Sequence, residues 1–312
     1  MQNILSAQLD PHFNLAMEDF WLRHADLSDD LFYVWRNAPS VVVGRNQNPY
    51  REVRLMDCFK DGVPVIRRVS GGGAVYHDFE NVNFTFVYRD GAAYVNRYEE
   101  VLRPIVEALR SMGIPAAFRE KSELEVGGLK ISGNAQGLHK GRILHHGTLL
   151  FDADLERLGR YLHNREKTTE GPSVPSNPAS VRLIKPYWHK GDVVDFMTEL
   201  THRVERAMKT RFVLRPITTD ELAKIEALAQ ERYRSFAWNY GETPPFTKRI
   251  HDVCGDPATK LLVENGVIVH VESCRLEWRL IKDCVYGWDE LKARLEEHKI
   301  KDADKYLASL FD

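Results

Sequence analysis

Between residues 31 and 151 the chain sets out seven β-rich runs, at 31–36, 40–44, 64–69, 82–89, 116–119, 130–135 and 142–151. Most successive runs are joined too tightly for the dozen or more residues that a parallel crossover needs. The pattern therefore predicts a mixed, largely antiparallel arrangement of sheets. Asn37-Ala38-Pro39 reads as a turn between the first two runs and predicts a hairpin there, and Gly127-Gly128 and Lys140-Gly141 read as later turns. Phe13, Ala16, Met17, Phe20, Trp21 and His24 recur at helical spacing after Asp10-Pro11, and further helical patterns cover 94–112, interrupted by Pro104, then 155–163, 192–208 and 219–233. Helices interleaved with such strands make an α+β protein.

A chain of 312 residues exceeds the usual size of one core, so one boundary is expected. After Asn239-Tyr240-Gly241-Glu242-Thr243-Pro244-Pro245 the texture changes to short strands, a hairpin turn at Glu264-Asn265-Gly266 and a helix over 289–298. This predicts a large domain at 1–240 and a small α+β domain at 241–312. Residues 164–186 are rich in Thr, Ser, Gly and Pro, which predicts a mobile functional loop without regular structure.

With 43 Lys and Arg against 45 Asp and Glu, the chain has no global positive field for a nucleic-acid backbone. Cys58, Cys254, Cys274 and Cys284 form no CxxC pair or ligand-like cluster and read as free thiols of a reducing compartment. The N-terminus has no basic start followed by an apolar run, and no apolar stretch reaches the roughly 18 residues of a membrane helix. The cytosol is the expected address, with no membrane association.

Three segments carry chemistry. In Arg67-Arg68-Val69-Ser70-Gly71-Gly72-Gly73-Ala74-Val75-Tyr76-His77-Asp78 the glycines allow positive φ and close approach to a ligand, while the adjacent arginines offer forked donors to phosphate or carboxylate. Taken alone, the triplet reads rather as a flexible turn between strands flanked by surface arginines. It matches neither the GxxxxGK[ST] nor the GxGxxG spacing, so P-loop and Rossmann readings fail. Lys130-Ile131-Ser132-Gly133-Asn134-Ala135 places a lysine on a strand beside small polar residues, where it can meet a phosphate or simply lie in solvent. His145-His146-Gly147-Thr148 puts adjacent histidines on opposite faces of a strand, which makes them poor joint metal ligands and leaves one to line a pocket.

These segments, with the run from Trp35 to Pro49 upstream, resemble the lipoate-protein ligase family in order and spacing. The resemblance extends to Asn14-Leu15-Ala16 with Glu18, to Asn83-Phe84-Thr85-Phe86 and to Trp238-Asn239-Tyr240-Gly241, and so spans nearly the whole chain. It implies a catalytic domain of the biotin and lipoate ligase type followed by an accessory domain that moves during the cycle. It implies ATP, brought with Mg²⁺, bound at Arg68 and along Gly71, Gly72, Gly73, Ala74, Val75 and Tyr76, with Lys130 touching both the lipoyl carboxylate and the α-phosphate. Lipoate is placed by the same likeness at Lys130, Gly44, Arg45, Gly73 and His146, its apolar tail in a slot formed by the helix near Phe20, the 41–44 strand and the Gly loop. No metal ligand is named. The implied acceptors are apo lipoyl domains of 2-oxoacid dehydrogenase E2 subunits and the glycine cleavage H protein, with lipoate or octanoate as the acid.

Other readings stand beside this one. An octanoyltransferase of the same superfamily needs an activatable thiol beside its substrate, and no cysteine lies near the Gly loop or Lys130. A lipoyl amidotransferase shares the motifs. Many ligases carry a Ser-Val-Arg-Ser-Arg-Val-Thr type stretch, whereas here the loop reads Pro172-Ser173-Val174-Pro175-Ser176-Asn177-Pro178-Ala179-Ser180-Val181-Arg182-Leu183, nearer the amidotransferase pattern. The departure puts adenylation itself in question. A non-catalytic lipoate-binding protein would keep the pocket and lose the charged groups, against which Arg68 and Lys130 argue.

Overall fold

The computed structural model describes residues 1–120, 122–162, 168–176, 179–250, 259–301 and 303–311. Cys254, the 163–167 stretch and Asn177-Pro178 lie outside the described residues. The strands used below are β1 Gln2–Leu5, β2 Leu31–Trp35, β3 Ser40–Val43, β4 Val65–Arg67, β5 Val75–His77, β6 Asn81–Tyr88, β7 Ala117–Arg119, β8 Glu123–Val126, β9 Leu129–His139, β10 Arg142–Leu150, β11 Thr169–Glu170, β12 Val213–Leu214, β13 Phe246–Ile250, β14 Thr259–Glu264 and β15 Val267–Glu272. They form an eight-stranded sheet in the order β12-β1-β2-β6-β10-β9-β8-β7, a three-stranded sheet β4-β3-β5 and a four-stranded sheet β11-β13-β14-β15. Pairing is antiparallel except at β12/β1, β1/β2 and β3/β4, the mixed α+β architecture expected.

β2 is buried at every residue because both of its faces are covered. Phe32 and Val34 join a core with Phe84, Phe86 and the helices Tyr98–Ser111 and Val193–Met208, while Leu31, Tyr33 and Trp35 face the opposite core with α1, Pro11–Arg23. Asp10 caps α1, its carboxylate accepting from the His12 amide at 2.9 Å, and Pro11 occupies the first turn. Pro104 lies inside Tyr98–Ser111 without ending it.

The hairpin expected at 31–44 does not form. β2 pairs with β1 and β6, whereas β3 pairs with β4 and β5 in a different sheet. The connection is redirected by side chains: Asn14 Nδ2 donates to the Arg36 carbonyl at 3.1 Å and to Asn37 Oδ1 at 2.8 Å, and Asn37 reaches His77 of β5 at 3.0 Å. Polar anchoring to α1 and β5 outweighs the local turn chemistry. The hairpins that do form have the predicted turns, with positive φ at Gly127 and Gly128, Lys140 and Gly141, and Asn265 and Gly266.

The C-terminal strands, with the helices Trp288–Glu297 and Ala303–Phe311, share one hydrophobic cluster with Val41, Val43, Tyr50 and Tyr76. β11, from the stretch expected to lack structure, adds an edge strand to that C-terminal sheet. The same stretch bonds to β9, with the Lys130 amide donating to the Ser180 carbonyl at 3.0 Å and the Arg182 amide to the Lys130 carbonyl at 2.8 Å. No helix among the described residues is long and apolar enough to cross a membrane.

Candidate active site

Where β9 and β10 of the large sheet face β3 and β5 of the small one lies a cavity of about 260 Å³. A larger cavity of about 670 Å³ lies beside Tyr50, Phe59 and Trp288, but its lining is mostly apolar. The smaller one gathers Arg68, Lys130, Glu123, His77 and His146 with the backbone of the Gly loop, and it is the candidate site.

Adjacent residues at the end of β4 point to opposite sides, so the two arginines separate. Arg68 faces the cavity, with Nε donating to Ser70 Oγ at 3.0 Å, Nη1 to the Val42 carbonyl at 3.2 Å, and Nη2 to the Gly71 and Gly73 carbonyls. Its guanidinium thus holds the carbonyls of the Gly loop. Burial pulls its pKa down to about 10, which leaves it cationic at neutral pH. Arg67, read beside it as a donor to ligand, is fully buried outside the cavity and serves the 44–47 and 238–243 segments instead.

Of the three loop glycines, Gly72 alone takes positive φ, at 87°. Its carbonyl sits so close to Gly44 that a Cβ added to Gly44 would lie 2.1 Å from that oxygen, so the two glycines form one packed contact. Gly73, Ala74 and Val75 line the cavity. Tyr76 points the other way, into the hydrophobic cluster shared with the C-terminal strands, its ring centroid 5.4 Å from that of Tyr161. Only its backbone is available to a ligand. Arg45 and Gly44 are likewise not part of the lining; Arg45 pairs with Glu242 at 2.7 Å and stacks over Trp238 at 4.7 Å. Phe20 packs in the α1 core, and Leu15 of the same helix reaches the cavity in its place.

Lys130 Nζ enters the cavity beside Gly133 and donates to Glu123 Oε1 at 2.6 Å. His146 faces the cavity, while His145 is buried on the other side against Gln136 and the Phe84 ring. His146 Nδ1 lies 2.8 Å from Glu18 Oε2, and Nε2 lies 2.6 Å from Ser70 Oγ. Trp35 Nε1 donates to Thr85 Oγ1, which donates to Glu18 Oε1. The connectivity is that of a Ser-His-Glu triad, but Ser70 is 1% exposed, does not line the cavity and already accepts from Arg68. An attacking hydroxyl has no route to a substrate, so the chain fixes the pocket wall.

A lid closes the cavity. Val174, Pro175 and Ser176 line it, and Ser176 Oγ accepts from the Ala74 amide at 3.1 Å and from Gln47 Nε2 at 3.0 Å. Glu52 holds the lid from below, accepting from the Ser176 amide at 2.9 Å and from Ser173 Oγ at 3.2 Å. Sequence reasoning did not single out Gln47, Glu52 or Glu123, whose partners are distant or depend on hairpin register. Cys58 is buried in the cluster shared with the C-terminal strands, where burial pushes its thiol up to about 12, and no cysteine lines the cavity among the described residues.

Burial depresses the pKa of His77 and of His145 from 6.5 to about 3. In the unfolded chain both rings take up a proton near pH 6.5, and in the fold they do so only near pH 3. The unfolded state therefore binds more protons across that interval, and stability falls as pH drops through it, by up to about 1.4 kcal/mol per pH unit for each ring. The urea midpoint is expected to be lower at pH 5 than at pH 7, and His145→Gln should remove part of the difference. An unchanged midpoint between the two pH values would contradict this.

The model of the lipoyl protein ligase A/B catalytic domain matches residues 10–205. The chain is 36% identical over 276 residues to a probable lipoate-protein ligase A of Mycoplasma genitalium, covering 86% of this chain and 81% of the relative. It is 32% identical over 303 residues to lipoate–protein ligase 1 of Staphylococcus aureus, covering 93% and 92%. A solved archaeal structure, a bipartite lipoate protein ligase from Thermoplasma acidophilum described together with its E2 lipoyl domain, superposes with a TM-score of 0.67 at 23% identity, covering 77% of this chain and 96% of that one.

Proposed function

This chain belongs to the lipoate-protein ligase family and is an ATP-dependent lipoate-protein ligase; on that premise we propose how its residues carry the reaction. A carboxylate is a poor acyl donor. One of its oxygens attacks the α-phosphorus of ATP, pyrophosphate leaves, and the mixed anhydride presents an acyl carbon to an acceptor lysine, which displaces AMP. The first step brings two anions together, so it needs fixed positive charge and aligned N–H donors that pay no reorganisation when the bond forms.

The observation carrying the reading is the convergence of Lys130, the Arg68-braced Gly loop and the lid on one cavity. Lys130 leaves Glu123 to lie between the lipoyl carboxylate and the α-phosphate. The amides of Gly71 to Ala74 receive phosphate oxygens, with Ser176 displaced from the Ala74 amide as ATP enters. Arg68 acts as a positioning residue that keeps the loop carbonyls turned inward and adds a buried positive field. Tyr76 contributes backbone alone. Gly44 supports the loop through Gly72, and Arg45 ties the 44–47 segment to Trp238 and Glu242. The lipoyl chain extends towards Leu15, Trp35 and His146.

Among the described residues no group of three His, Cys, Asp or Glu is placed to hold a metal. Mg²⁺ would arrive on the triphosphate, keeping mostly phosphate and water ligands, and would supply charge neutralisation. The acceptors we propose are lipoyl domains of 2-oxoacid dehydrogenase E2 subunits and the glycine cleavage H protein, with octanoate as an alternative acid and the cytoplasm as the place of action. Residues 1–240 form the catalytic unit and 241–312 an accessory unit in this reading.

The test combines purified protein with ATP, Mg²⁺, lipoate and an apo lipoyl domain, following acceptor mass and pyrophosphate together. A lipoyl mass gain matched by pyrophosphate is expected. Lipoyl transfer from added lipoyl-adenylate or a lipoylated donor protein, without pyrophosphate in the full mixture, would make the chain an amidotransferase. The lid gives a second expectation. Glu52→Gln removes the charge from two hydrogen bonds that hold it, and bonds to a charged group contribute roughly 1.5–3 kcal/mol. Adenylate should then escape, raising pyrophosphate released per acceptor modified by about 3–10-fold. A ratio equal to that of the parent protein would mean that the lid does not retain the intermediate.

A further inference from the structure

Of the described residues lining the cavity, Glu123 alone carries a carboxylate. Its place is unexpected in a site that must hold two other anions, because a third negative charge opposes their binding. The fold nevertheless secures it there. Glu123 opens β8, opposite Gly133 of β9. Oε1 receives Lys130 Nζ at 2.6 Å, and Oε2 faces Arg119 Nε at 3.6 Å. Arg119 also donates to the Gly128 carbonyl at 3.2 Å, so the β8–β9 turn fixes this second cation. The Glu123 side chain is 18% exposed and that of Lys130 22%, so both remain reachable from the cavity.

Resting on the ligase reading above, we propose that Glu123 is the general base of the transfer step. In the empty site it holds Lys130. Once carboxylate and phosphate draw the lysine away, Arg119 keeps Glu123 in position with Oε1 open to the cavity, within one side chain's reach of the reacting acyl group. The acceptor lysine loses one proton to water and enters as the neutral amine, donating an N–H to Oε1. As its lone pair forms the C–N bond, that proton passes to Glu123 and the carbonyl π electrons move to oxygen. They return as the C–O bond to phosphate breaks, AMP leaves with that electron pair, and Glu123 then releases its proton to water. The arrangement explains why a carboxylate is tolerated: it serves the acceptor amine, whose nitrogen becomes positive as the C–N bond forms, after the two anions have been joined.

The experiment separates the two halves of the reaction. Pyrophosphate release from ATP, Mg²⁺ and lipoate reports adenylation; transfer from preformed lipoyl-adenylate to an apo lipoyl domain reports the second step. For Glu123→Gln, transfer is expected to fall by about 10²–10⁴-fold, the usual contribution of a placed general base. Adenylation should fall far less, so that the ratio of the two rates changes by at least about tenfold. In Glu123→Ala, formate or acetate should restore part of the transfer rate, a response that a purely structural role would not produce. Transfer that survives in Glu123→Gln overturns the proposal. So does a loss of adenylation equal to the loss of transfer, or one reversed by raised Mg²⁺, since Glu123 would then serve Lys130 or the metal. If the unaltered protein neither releases pyrophosphate nor modifies the acceptor by any route, the ligase reading fails independently of Glu123.

Discussion

Lys130→Ala is expected to slow lipoyl-adenylate formation by about 10²–10³-fold while leaving the melting temperature close to that of the parent protein. The backbone of Lys130 is held on both sides, by β8 and by the strap that meets it at Ser180 and Arg182. Those bonds are indifferent to the side chain, and the ammonium lies in a cavity rather than in a core. On the reaction proposed above, the substitution removes a charge from the place where two anions meet, and the loss of one such preorganised contact raises a barrier by about 3–4 kcal/mol. Lys130→Arg should restore little, because a planar fork on a longer stem does not reproduce a point charge beside Gly133, where the lysine end already lies 3.3 Å from a notional Cβ. Pyrophosphate release in a single turnover measures the effect. A rate within tenfold of the parent would show that the Gly loop and Arg68 suffice without Lys130.

The chemistry-bearing segments were legible in the sequence because each is local. Gly127-Gly128 turns β8 into β9 as composition predicts, and strand alternation correctly sends His145 and His146 to opposite faces. Lys130 stands on a strand as expected and reaches the cavity beside Arg68. What was not legible depends on contacts between distant residues. The strands at 31–36 and 40–44 carry hairpin chemistry, yet Asn14 and His77 redirect the chain between two sheets. Gln47 and Glu52 hold the lid across 129 and 124 positions of sequence, a spacing that has no period to detect. Glu123 becomes notable only when hairpin register sets it against Lys130. Three consecutive glycines suggest freedom throughout the loop, but the structure requires positive φ at Gly72 alone and close approach at Gly44, outside the triplet.

The least legible residue is Arg67, and it carries the second large expectation. Its side chain donates to the carbonyls of Gly44, Arg45, Gln47, Trp238 and Asn239 and to Thr243 Oγ1. Its own carbonyl accepts from Trp238 Nε1 at 2.7 Å, and its amide donates to Asn239 Oδ1 at 2.9 Å. These bonds tie the 44–47 segment, which carries the lid anchor Gln47, to the 238–243 segment that precedes the C-terminal strands. Burial pulls its pKa down to about 10, so at neutral pH it remains a cation surrounded by carbonyl dipoles. Arg67→Met fills much of the volume but leaves several buried acceptors without donors, each costing roughly 1–3 kcal/mol and together, after water enters, about 3–5 kcal/mol. For a chain of this size the melting temperature should drop by about 5–8 °C. Arg67→Lys should recover little, since one ammonium cannot span acceptors on both segments. The same variants separate the structural role from the ligand-binding role suggested by the Arg67-Arg68 pair. A phosphate-binding Arg67 would raise KM for ATP with melting unchanged. A structural Arg67 lowers the melting temperature, and below the transition the folded fraction retains a KM for ATP near that of the parent, because the fork that braces the Gly loop belongs to Arg68.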